Sequence, residues 1–197
     1  MTPSGLTVQG ASPEMLLELL DAYSFEVQRQ DRDFWSTFQT GLSRAEIVDR
    51  LQAVDLEAPE ELLTWWTWRN GFRTGVNPDV TLPQMSLEFA LKLRDKDEMG
   101  LEEDEWNPAW IRVAGYSSQD AMAVRCVPGE QVLVRATSAD DSGTQDHETS
   151  RQVVSLCTPV SWWLLGIAKG WSHWDGKFWA IDQSLFPYEW QLTDLLS

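Results

Sequence analysis

The chain has 197 residues, with 15 Lys and Arg against 31 Asp and Glu, a formal net charge of −16. Hydrophobic residues make up 43% and charged residues 23%, the balance of a folded globular protein rather than a disordered one. The longest apolar run, Trp162–Ala168, is far shorter than the roughly 20 residues of a membrane-spanning helix, and the negative field disfavours nucleic acid and anionic membrane as partners while favouring a basic protein. The opening MTPSGLTVQG has neither a basic nor an apolar region of the signal-peptide kind, so a cytoplasmic location is expected. Cys126 and Cys157 are too few for a disulfide framework or a zinc site, and no cofactor is expected.

Residues 1–11 read as a loose tail rich in Gly, Ser, Thr and Pro. Ser12 then suits a helix cap and Pro13 a first helical position. Met15, Leu16, Leu19, Leu20, Tyr23 and Val27 recur at helical spacing behind them. Ser43-Arg44-Ala45-Glu46 predicts a capping box, in which Ser43 takes a free backbone N–H and Glu46 reaches back to the cap. Ile47, Val48, Leu51 and Val54 give that second helix its apolar face. A third helix is expected from about Pro59 through Leu62, Leu63, Trp65 and Trp66, stopping at Asn70-Gly71, where both residues tolerate a left-handed backbone. A fourth is expected from Ser86 through Phe89, Leu91 and Leu93.

The period changes after the acidic linker 95–105, which holds seven carboxylates and one lysine. Ile111 and Val113 alternate with polar or bulky neighbours, as do Met122, Val124 and Cys126. Pro128-Gly129-Glu130 marks a turn before Val132 and Val134. Residues 137–150 form a polar loop with four more carboxylates, and Val153 to Cys157 reads as a further strand. Thr158-Pro159 opens a helix whose stripe is Val160, Trp163, Leu164, Ile167 and Trp171, with Gly170 as its stop. Asp175-Gly176 between aromatic residues signals a hairpin, and Tyr188 to Leu196 suits a short terminal helix.

Catalytic signatures are missing. There is no G-x-S-x-G, phosphate loop, H-E-x-x-H or C-x-x-C. The two histidines, His147 and His173, are far apart in sequence, and the carboxylates near 140–148 lack calcium-loop spacing. Both cysteines fall in predicted strands, where they act as small hydrophobes. Twelve tryptophans serve either a core and its rim or a stacking surface for partners.

The order of these features resembles the SUKH superfamily, the cell-wall-assembly-regulator type of domain found among bacterial toxin-immunity proteins. Four segments carry the likeness: Pro59-Glu60-Glu61-Leu62-Leu63 with Trp65, Trp66 and Arg69-Asn70-Gly71; Leu82 to Leu91; Trp110-Ile111-Arg112-Val113-Ala114 with Asp120 and Ala121 to Cys126; and the late strand with the helix from Pro159 to Ala168. Arg112 stands where the family has proline, and Gln119 where it often has glycine.

The resemblance implies a non-enzymatic binding domain over residues 43–183, preceded by a tail and helical extension at 1–42 and followed by 184–197. The expected fold is α+β: N-terminal helices packed on an antiparallel β-meander with a later covering helix. The expected function is a cytoplasmic immunity protein that neutralises a basic toxin, such as a nuclease, through an acidic surface. Glu102, Glu103, Asp104, Glu105, Asp140, Asp141, Asp146 and Glu148 would meet the partner, with Trp106 as the apolar anchor. A regulatory adaptor, a Trp-rich carbohydrate-binding module and a hydrolase using Asp, Glu and His173 are the alternatives.

Overall fold

The computed structural model describes residues 8, 10–30, 32–72, 84–94, 109–115, 121–128, 134–137, 151–174 and 179–181. Helix α1, Pro13–Gln30, starts where Ser12 Oγ accepts the Met15 N–H at 3.2 Å, and it buries Leu16, Leu20, Tyr23 and Val27 along one face. A single turn, α2, Arg32–Trp35, leads into strand β1, Phe38–Thr40. Helix α3, Arg44–Gln52, is capped by Ser43, whose side chain accepts the Glu46 N–H. The expected return bond from Glu46 is replaced: its carboxylate takes Arg50 one turn later, at 2.6 Å, because the opposite charge at i+4 competes for it.

Helix α4, Glu60–Trp68, ends two residues before the expected Asn-Gly stop. Arg69 is already extended, and strand β2, Arg69–Phe72, pairs antiparallel with β1. The chain gains more here from ladder bonds and the tilted Phe38–Phe72 ring pair, centroids 4.1 Å apart, than from another half-turn of helix. Helix α5, Leu87–Lys92, is capped by Ser86 through the Phe89 N–H as expected.

Strands β3, Trp110–Gly115, β4, Ala121–Arg125, β5, Val134–Thr137, and β6, Arg151–Val153, form one antiparallel sheet in chain order. This is a meander, so the mixed α+β class is observed. The fourth strand is shorter than the sequence suggests. It ends at Val153, and Cys157 opens helix α6, Cys157–Ala168, rather than closing a strand. The backbone N–H groups of Leu156 and Cys157 are taken by side chains, which turns the chain out of the sheet. Helix α6 ends at Gly170 (φ +74), with the Trp171 N–H returning to the Gly166 carbonyl at 2.8 Å. Strands β7, Ser172–Trp174, and β8, Trp179–Ile181, then pair antiparallel. The Asp175-Gly176 turn between them and the expected terminal helix lie outside the described residues.

One core joins these layers. Helix α1 packs against both α4 and α6, and the inward residues of the sheet, Ile111, Val113, Met122 and Val124, belong to the same buried cluster. On α6 the stripe buries Val160, Trp163 and Ile167, whereas Leu164 and Trp171 are half-buried. Trp65 and Trp66 are fully buried, and Trp65 meets Trp163 at 5.9 Å between ring centroids. Burying one such ring contributes about 4–6 kcal/mol by area.

Candidate functional site

The residues expected to meet a partner, Glu102, Glu103, Asp104, Glu105, Trp106, Asp140, Asp141, Asp146 and Glu148, all lie outside the described residues. Their points of attachment are described. The first group precedes β3, whose first residue Trp110 pairs with Arg125 at one end of the sheet. The second group runs from β5 to β6. Its flanks, Thr137 and Arg151, belong to the other end, where Gly115 pairs with Ala121 and Ala121 with Thr137. The meander therefore roots the two acidic groups a strand length apart, about 15 Å by strand rise.

The net charge of −16 is dense in two stretches of sequence, residues 95–105 with seven carboxylates and residues 137–150 with four. Three helical carboxylates have ion-pair partners, in Arg29–Glu26 at 2.8 Å, Arg44–Glu60 at 2.5 Å and Arg50–Glu46 at 2.6 Å.

One carboxylate is handled differently. Glu61, in the first turn of α4, is buried and accepts the Ser155 hydroxyl at 2.8 Å and the Leu156 N–H at 2.6 Å. It thereby caps α6 from a helix 94 residues earlier in the chain. Burial pushes its carboxyl above the usual 4.5, partly offset by these two bonds. Ser155 Oγ in turn accepts the Cys157 N–H at 2.9 Å, and the Cys157 thiol faces the Ser12 carbonyl at 3.6 Å. The N-terminal ends of α1, α4 and α6 thus meet at one point. Sequence reading missed Glu61, although it stands four residues before the buried Trp65 on the same helical face.

Asn70 and Gln84 were missed as well. Asn70 Oδ1 accepts the Leu87 N–H at 2.8 Å, and Gln84 Nε2 donates to the carbonyls of Trp65 at 3.2 Å and Arg69 at 2.6 Å. Gly71 (φ +68) lies so close to the next segment that a Cβ there would sit 2.4 Å from Met85 and Ser86 backbone atoms. The Asn-Gly pair is therefore a joint between β2 and α5, not a helix stop.

Burial drives the Cys126 thiol up to about 12 and raises that of Cys157, the opposite of the shift that activates a cysteine. His173 is exposed on β7, opposite Ala180. Among the described residues no group of three His, Cys, Asp or Glu side chains could hold a metal, and no helix is long and apolar enough to cross a membrane. Of the tryptophans whose burial is described, Trp65, Trp66 and Trp163 are buried and Trp35, Trp68, Trp110, Trp162, Trp171 and Trp174 half-buried. No family model matches the chain. No curated protein matches it either.

Proposed function

We propose that the chain is a non-enzymatic protein-binding domain, an immunity protein of the SUKH kind that neutralises a basic toxin from a cytoplasmic location. The observation that supports this reading is the net charge of −16, with seven carboxylates in residues 95–105 and four more in 137–150. An acidic field of this size speeds encounter with a basic surface and repels acidic competitors. Glu102, Glu103, Asp104 and Glu105 supply one such contact and Asp140, Asp141, Asp146 and Glu148 a second, with Trp106 beside the first as anchor. The buried and half-buried state of the described tryptophans speaks for a core role and against an open sugar-stacking face.

The test begins with recovery of the partner by copurification from the native host and mass spectrometry. Association of the purified pair is then measured for the natural chain and for a variant with residues 102–105 neutralised. A basic partner, whose association the four-residue variant slows strongly, supports the reading. An acidic or neutral partner that binds the variant equally well overturns it.

A further inference from the structure

Three residues that line one small cavity each carry a buried polar atom without a partner among the described residues. Among the described residues, the indole N–H groups of Trp65 and Trp163 and the amide oxygen of Gln84 have no hydrogen-bond partner. Their residues are 0%, 7% and 5% exposed, so bulk solvent does not satisfy them. All three line a cavity of about 10 Å³, walled by aromatic rings that include Tyr23, Phe38, Trp68 and Phe72. Leaving each group unpaired would cost about 1–3 kcal/mol.

The orientation of Gln84 is fixed by its neighbours. Its amide nitrogen faces two backbone carbonyls, which only accept, so the oxygen cannot be exchanged with the nitrogen without losing both bonds. The lining residues therefore bring two unpartnered donors and one unpartnered acceptor, beside the hydroxyl of Tyr23. Aromatic walls of this kind also suit an organic cation, but size decides against it. A cavity of about 10 Å³ admits one water molecule and nothing larger.

We propose that this cavity is the seat of one internal water, accepting from the Trp65 and Trp163 indoles and donating to Gln84 Oε1. Three bonds are the usual complement of a buried water. The water joins α4, α6 and the segment before α5, three elements that share no backbone bonds at this point. It completes a polar link inside an otherwise aromatic seam.

Proton NMR on the full natural chain tests this directly, with indole signals assigned from conservative Trp→Phe variants. Trp66 serves as the internal control, because its indole is equally buried but donates to the Met85 carbonyl at 3.1 Å. The expected result is direct cross-relaxation from a long-lived water to both the Trp65 and Trp163 Nε1–H protons. It should carry the opposite sign in rotating-frame spectra and be missing at Trp66. Absence of that transfer at either indole, or its replacement by simple proton exchange, would overturn the bridge.

Discussion

Glu61 is the residue on which the geometry makes its sharpest demand. A carboxylate buried without a cation in its hydrogen-bond set is costly, and it is retained because it satisfies two donors at the start of α6. Its raised proton affinity fixes a pH dependence. The folded state binds a proton at a pH where the unfolded chain does not, so stability rises as pH falls through the raised value toward 4.5. Measured against Glu61→Gln by denaturant melts, the natural chain should gain relative stability between about pH 7 and 4.5. A constant difference across that window would refute the coupling. Trp163 makes a second demand at this scale. It is 7% exposed and meets both Tyr23 and Trp65, so Trp163→Ala should cost about 3–5 kcal/mol. A loss below about 1 kcal/mol would place the ring outside the core.

Elements are held by their ends in this fold. Ser12, Ser43 and Ser86 each accept the N–H three residues on, and replacing Ser43 or Ser86 by Ala should cost about 1 kcal/mol in a thermal or denaturant melt. The joint after α4 is less forgiving. At Gly71 a side chain meets both a left-handed backbone and the Met85–Ser86 backbone at 2.4 Å. Gly71→Ala should therefore destabilise by at least about 2 kcal/mol, well beyond either cap. Equal losses for Gly71→Ala and Ser86→Ala would show that the segment moves away freely.

At the scale of the whole molecule, the net charge of −16 bears on association. If the acidic segments steer association, the on-rate for a basic partner should fall steeply with salt while the off-rate changes little. Because the two acidic groups are rooted at opposite ends of the sheet, neutralising both should lower affinity by the sum of the separate losses. Strong non-additivity in a double-mutant cycle would mean that they act as one patch. Trp106→Ala should raise the off-rate more than any single charge change, with no loss in a melt run alongside. A proportional loss of stability and binding would make Trp106 a core residue.

Much of this architecture is written in local pattern. The faces of α1 and α6, the caps at Ser12, Ser43 and Ser86, the Gly170 stop and the alternation in β3 and β4 depend on residues within a few positions of one another, and sequence reading finds them for that reason. So is the charge, since composition alone gives −16. What the tertiary structure decided are the long-range choices. Glu61 caps a helix 94 residues away, Asn70-Gly71 leaves the helix to pair with Phe38–Thr40, and the chain leaves the sheet before Cys157 because Ser155 and Glu61 claim its backbone donors. Each choice is a competition for a hydrogen bond between a neighbour in sequence and a neighbour in space. A single sequence names only the first competitor, and the fold supplies the second.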